Sequence, residues 1–285
     1  MAVGLISRNE ERLTAAAKDV EAAGGHPLML PCDVASSGEV EGAAQHAEEV
    51  LGPIDVWVNN AMTTVFAPFH DIEPDEYRRA TEVTYLGAVH GTISALRRMR
   101  ARDNGTIVQV GSALAYRAIP LQSAYCGAKH AIRGFTDSVR TELMHEQSRV
   151  WITSVHLPAM NTPQFEWCRN KLSHHPQPVP PIYQPEVAAE AIVWASTRHR
   201  REVYVGAPTY LTIQANKVGA RILDAYLAKT GFKSQQMDEE AGPRPDDLFS
   251  TVDGDYAAHG RFDQRSTDRS IMSNVLRAAS DALHL

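Results

Sequence analysis

The residues best suited to chemistry are Gly111-Ser112 and, thirteen residues after that serine, the run Tyr125-Cys126-Gly127-Ala128-Lys129. Tyr125 and Lys129 are four apart, so on a helix they share one face, a turn from each other. That spacing puts an ammonium near a phenol. A free phenol has a pKa of about 10, too high for ready proton exchange at neutral pH, and a neighbouring cation favours the phenolate and lowers it. The phenol then becomes a general acid or base. Ser112, at the end of an apolar run, is placed to hold a substrate carbonyl by hydrogen bond while that proton moves. A Tyr and a Lys at this spacing also meet on helices by chance, so the surroundings must decide.

Strand-type runs occur at Val3–Ile6, Pro27–Leu30, Asp55–Val58, Thr106–Val110, Val150–His156 and Glu202–Val205. Helical patterns alternate with them over Asn9–Ala23, Glu39–Leu51, Asp75–Arg100, Ser123–Glu146 and Glu186–Thr197. Strict alternation implies βαβ units, a mostly parallel sheet and right-handed crossovers. Such α/β sheets bind ligands outside the carboxyl ends of their strands, where Ser112 falls. Beyond Ala215 the pattern changes to one helix over Asn216–Lys229, a polar stretch over Lys233–Arg269 and a short closing helix over Ile271–Leu285. Nine acidic and five basic residues among Gly, Pro, Ser and Gln make that stretch read as a surface extension. The expected division is a catalytic core over 1–215 and a helical, polar extension over 216–285.

The 285 residues, 44% apolar, suffice for a sizeable core. Twenty-eight Lys plus Arg against 34 Asp plus Glu give a net charge of −6, which recommends no nucleic-acid partner. Cys32, Cys126 and Cys168 are too few and scattered for a disulfide framework, which fits a reducing, cytoplasmic compartment. No run reaches the length of a transmembrane segment, and the first residues do not read as a signal peptide.

Several ordered motifs resemble the short-chain dehydrogenase/reductase family over about the first 210 residues. Asp33-Val34 resembles its adenine-contacting pair, and Asn59-Asn60-Ala61 its Asn-Asn-Ala-Gly motif, with Met62 at the glycine. Gly111-Ser112, Tyr125 to Lys129, and Pro158 to Thr162 complete the order. The resemblance implies a Rossmann-like, doubly wound parallel sheet and hydride transfer between a nicotinamide and a carbonyl or secondary alcohol. It implies that Tyr125 is the acid or base, that Lys129 lowers its pKa and holds the nicotinamide ribose, and that Ser112 orients the carbonyl. Thr162 and the backbone after Pro158 would fix the carboxamide. Ser7 and Arg8, at the end of the first strand, suit a 2′-phosphate, since a guanidinium offers a fixed fork of donors. The expectation is therefore NADP(H) rather than NAD(H), with assembly as a homodimer or homotetramer through the two long helices.

Two departures qualify this reading. Thr84 stands in Val83-Thr84-Tyr85-Leu86-Gly87 where the family commonly has an Asn thought to hold a proton-relay water. The family's Gly-rich phosphate turn has no counterpart, so the sheet is expected to be N-terminally incomplete, starting at the second strand. A non-catalytic scaffold that binds nucleotide poorly is the alternative. His156, Cys168, His174 and His175 lie around a proline-rich run, Pro176 to Pro185, that the resemblance makes a lid, and no metal site is expected. Ser112 has no Gly-x-Ser-x-Gly elbow, which argues against a hydrolase.

Overall fold

The computed structural model describes residues 1–254 and 258–269; the expected helix at Ile271–Leu285 lies outside them. The first half alternates as β1 (Ala2–Ser7), α1 (Glu10–Ala22), β2 (His26–Pro31), α2 (Ser37–Leu51), β3 (Val56–Asn59), β4 (Val65–Phe66), α3 (Pro74–Thr81), α4 (Gly87–Arg102), β5 (Gly105–Ser112) and α5 (Ser123–His145). The second half comprises β6 (Val150–Leu157), β7 (Ala159–Met160), α6 (Gln164–Trp167), β8 (Arg169–Asn170), β9 (His174–Pro176), β10 (Ile182–Tyr183), α7 (Pro185–Ser196), β11 (Glu202–Tyr204), α8 (Ala207–Ser234), β12 (Gln236–Glu240) and β13 (Ser266–Thr267).

The parallel sheet falls into two parts. Four strands run in the order β11-β6-β5-β3, while β1 pairs only with β2, in register from Ala2 against His26 to Ser7 against Pro31. The two parts are joined by side chains. Val40, Ala43 and Ala47 of α2 pack under Leu30 and Cys32, and Ile54 before β3 and Trp57 within it close the same cluster. Arg98 of α4 latches α2 by reaching Glu41 at 2.9 Å and Glu48 at 3.0 Å. The central strands β5 and β6 are buried on both faces because helices cover both, as a parallel sheet requires. Close approach matters where α4 crosses β3: a Cβ at Gly91 would meet Asn59 Oδ1 at 2.2 Å, so only glycine fits there.

The helix expected as one piece over Asp75–Arg100 is broken. A π turn at Glu82–Leu86 separates α3 from α4, and such widened turns recur at functional sites. α8 is longer than the expected Asn216–Lys229 and kinks at Gly219. The polar extension is knitted to the core by its few apolar residues. Leu248 is fully buried against Val65, Ala67, Ala80 and Ala124. Phe262 enters a cluster with Phe66 and Phe165. β12 pairs with β9 and β13 with β10, so the extension contributes edge strands as well.

Candidate active site

Ser112 ends β5, and a 3₁₀ turn at Ala113–Ala115 follows immediately. The hydroxyl of Ser112 accepts the Leu114 N–H at 3.1 Å, which fixes its rotamer at the strand end. Next to it, Gly111 lies where a Cβ would strike the His156 ring at 2.5 Å. Leu121, just before α5, holds a left-handed φ of 68°. That conformation costs a residue with a Cβ about 1–2 kcal/mol, and the Ala67 N–H, donating to the Leu121 carbonyl at 3.0 Å, anchors it. The start of α5 is thereby aimed at the end of β5.

Tyr125 and Lys129 share the inner face of α5, as their spacing predicts. Lys129 Nζ lies 5.5 Å from the Tyr125 ring centroid and donates to the Val110 carbonyl at 2.7 Å. Burial holds the Lys129 ammonium down at about 8. The Tyr125 phenol moves the opposite way from the sequence expectation. Burial pushes it up to about 12, only partly opposed by the Ser112 hydroxyl. Desolvation raises the acid and lowers the base together.

Ser7, Arg8, Asp33, Val34, Asn60, Ala61, Ser112, Tyr125, Lys129, Pro158 and Thr162 all line one cavity of about 910 Å³. Asn59, the neighbour of Asn60, turns away instead. It accepts from Trp57 Nε1 at 2.8 Å and donates to Thr92 and Gln109 at 3.0 and 3.1 Å, tying β3 to α4 and β5. Thr84 is tied to backbone: its hydroxyl accepts the Thr63 N–H at 3.0 Å and donates to the Thr63 carbonyl at 2.8 Å.

At the far end of the cavity, residues 246–252 form a strap that sequence reasoning missed. Arg8 donates to the carbonyls of Asp247 and Phe249, and Asn9 and Arg12 both donate to that of Val252. Thr63 donates to the Asp247 carboxylate at 3.3 Å, and Arg79 to the Leu248 carbonyl at 3.0 Å. Burial pushes Asp247 up to about 6 despite Arg8, Thr63 and Arg12. Burial also raises Asp33, but the Arg79 hydrogen bond, the Ala35 N–H and the charges of Arg79 and Arg8 outweigh it and hold its carboxyl below the usual range. A second unforeseen clasp is Asn161, which donates to Gln184 at 2.9 Å and Asp263 at 2.8 Å while accepting the Phe262 N–H at 3.0 Å. The only sequence signals for these contacts are isolated apolar residues, Leu248, Val252 and Phe262, in a polar stretch.

The two ends of the cavity fit a dinucleotide differently. Near Tyr125, Lys129 has three donor protons and one protein acceptor, leaving donors for ribose hydroxyls. At the strap, the donors that suit a phosphate are engaged by carbonyls of the same chain. The first turn of α1 carries Glu10 and Glu11, which disfavour an anion there.

His156 is buried with Glu202 and Tyr116, whereas His175 lies near Glu239 and the Cys168 thiol near Arg244. Among the described residues, no cluster of three or more His, Cys, Asp or Glu is arranged for a metal. The three cysteines are free and buried.

A mostly parallel α/β sheet with a Ser, Tyr and Lys converging at its carboxyl edge defines a dinucleotide-type oxidoreductase scaffold. The family described as short chain dehydrogenase matches residues 1–172, and the chain belongs to it. It is 29% identical over 266 residues to the uncharacterized oxidoreductase YxnA of Bacillus subtilis, covering 93% of this chain and 74% of that one. It is 31% identical to the 3-dehydrosphinganine reductase of Danio rerio over 57% of this chain, and spans 50% of that relative's length. Among solved structures, a short-chain dehydrogenase from Streptomyces avermitilis shares the fold with a TM-score of 0.65 at 20% identity, over 82% of this chain and 89% of that one. An NAD+-bound xylitol dehydrogenase matches with a TM-score of 0.53 at 28% identity, over 56% of this chain and 61% of that one.

Proposed function

We propose that the chain transfers hydride between NADP(H) and a carbonyl or secondary alcohol, with Tyr125 as the proton donor. The carrying observation is the convergence of Ser112, Tyr125 and a buried Lys129 with uncommitted donors in one cavity. When bound, the nicotinamide supplies or accepts the hydride; the protein supplies position and electrostatics. Ser112 orients and polarises the carbonyl oxygen. Tyr125 releases its proton to that oxygen in reduction and recovers it in oxidation. At neutral pH the phenol, with its pKa at about 12, carries the proton that reduction consumes. Lys129 would hold the nicotinamide ribose, and Pro158 and Thr162 would border the carboxamide. Asn60 and Ala61 flank the cofactor between its ends. Ser7, Arg8, Asp33 and Val34 would form the adenosine end, and the choice of NADP(H) requires the Arg8 guanidinium to leave the Asp247 and Phe249 carbonyls for the 2′-phosphate.

Two relatives act on lipid-derived carbonyls by their names: the 3-dehydrosphinganine reductase above and a fatty acyl-CoA reductase of Acinetobacter baylyi, 26% identical over 206 residues. A substrate with a long apolar chain is in keeping with the cavity's lining by Leu211, Leu223, Leu227 and the Pro178–Pro181 run. Assembly as a homodimer or homotetramer through α4 and α5, and a cytoplasmic site of action, complete the reading. No described helix is long and apolar enough to cross a membrane.

One observation favours a second reading, a non-catalytic scaffold: the strap carbonyls engage Arg8, Asn9 and Arg12. Fluorescence titration with NADPH and NADH, paired with turnover of Tyr125→Phe, separates the two. The oxidoreductase reading expects tighter binding of NADPH and a loss in turnover of at least about 100-fold in the variant, with cofactor affinity retained. NADH binding as tightly as NADPH would refute the cofactor assignment. Binding of neither would support the scaffold.

A further inference from the structure

Helix α8 is a wall of the cavity on one side and bare on the other. Leu223 and Leu227 turn inward to line the cavity, together with Leu211 and Tyr226. Beyond the kink at Gly219, Ile222 and Tyr226 stand four residues apart on the outward flank, 76% and 60% exposed, and Val218, just before the kink, is 93% exposed. Lys229 and Lys233 continue the same flank, three and seven residues beyond Tyr226. Large apolar side chains left in water on both sides of that kink and bordered by lysines match the form of a helix that lies in the plane of a lipid interface.

Charge decides which occupant suits this face. The whole chain carries −6, yet α8 holds Lys217, Arg221, Lys229 and Lys233 against one acid, Asp224. That acid is bound by Arg117 from outside the helix at 2.5 Å. Among the described residues none of the four cations is in an ion pair. A second copy would bring two such helices together and oppose like charges, a juxtaposition that disfavours pairing. An anionic bilayer satisfies both the apolar row and the cations. Tyr226 is exposed and also lines the cavity, so the row runs to the cavity's rim.

We propose that the Val218, Ile222 and Tyr226 face of α8 docks the protein on an anionic lipid surface, with the cavity rim at Leu211 and Tyr226 beside that surface. A long-chain substrate then passes from the bilayer towards Tyr125 without crossing bulk water. That last consequence rests on the oxidoreductase reading above; the docking does not.

Co-sedimentation of the full chain with vesicles of phosphatidylcholine alone, and with about 30% phosphatidylglycerol, tests the proposal at low and high salt. The expected result is binding to the anionic vesicles only, weakened by salt. Lys229→Ala and Lys233→Ala should each weaken it about fivefold. Val218→Asp with Ile222→Asp should weaken it at least about tenfold. All four residues are exposed and outside the cavity lining, so an unchanged Tm, and unchanged turnover of a small water-soluble ketone, are expected in these variants. Inactivity of every form towards that ketone would count against the oxidoreductase reading and leave the vesicle result standing. Binding to neither vesicle, or equal binding to both, would overturn the docking proposal. So would a concentration-dependent dimer that the Val218 and Ile222 variants dissolve, which would assign the face to a second copy.

Discussion

Replacing Lys129 by Met keeps the length of the side chain and removes its charge, and the surroundings of the ammonium give the sign of the effect on stability. Burial lowers its pKa from 10.5 to about 8. A displacement of that size corresponds to roughly 3 kcal/mol of unfavourable burial at neutral pH. Against it stands the 2.7 Å hydrogen bond to the Val110 carbonyl, whose loss leaves a buried acceptor unsatisfied at about 1–2 kcal/mol. Lys129→Met should therefore be more stable than the wild type at pH 7 by about 1–2 kcal/mol, while losing turnover. The unfolded chain binds a proton that the folded one releases between about pH 8 and 10.5, so wild-type stability rises with pH across that window. The variant has no such group, and its advantage should shrink towards zero or reverse by about pH 10. Urea unfolding of both forms at the two pH values measures this through the midpoints. A variant less stable at neutral pH, or a difference that does not change with pH, would refute the reasoning.

Asp247→Asn tests the strap. Burial raises the wild-type carboxyl to about 6, so the folded chain keeps a proton that the unfolded chain has lost above about pH 4. Wild-type stability should fall by about 2–3 kcal/mol as pH rises through that window, and the Asn variant should lack this slope in urea midpoints measured across it. Thr84→Val leaves the Thr63 N–H and carbonyl without their buried partner and should cost about 1–3 kcal/mol by thermal unfolding. An unchanged Tm would show that the pair contributes nothing to the fold.

The meeting of Ser112, Tyr125 and Lys129 in one cavity, the trio proposed above to be catalytic, was legible because its geometry is local. A serine at a strand end and a Tyr and Lys four apart on a helix fix their own orientations once the elements form. The alternating strands and helices were legible for the same reason, through their periods. Features that depend on distant partners were not. Arg8 reads as a cation free for a phosphate, yet its acceptors lie 239 and 241 residues away. Thr84 reads as a weak substitute for Asn until Thr63 is found opposite it. The rise of the Tyr125 pKa depends on how deeply α5 packs, which no spacing encodes. The extension reads as surface because composition averages over residues, whereas Leu248 and Phe262 anchor it one at a time. The π turn that divides α3 from α4 leaves no mark on the apolar periodicity across it.

The division of the parallel sheet has a consequence for how the molecule opens. Because β1 and β2 share no ladder with β3, the β1-α1-β2 unit is held through α2, the side-chain cluster beneath it and the bonds of Arg8, Asn9 and Arg12 to the strap. Cooperative units in hydrogen exchange follow such boundaries. The unit bearing Ser7 and Arg8 can thus part from the unit bearing Ser112 and Tyr125 without breaking a hydrogen-bonded strand pair. Amides of β1 and β2 should exchange together, through an opening of lower free energy than that protecting β5 and β6, so that one half of the cleft is a separable foldon and the other carries the global stability.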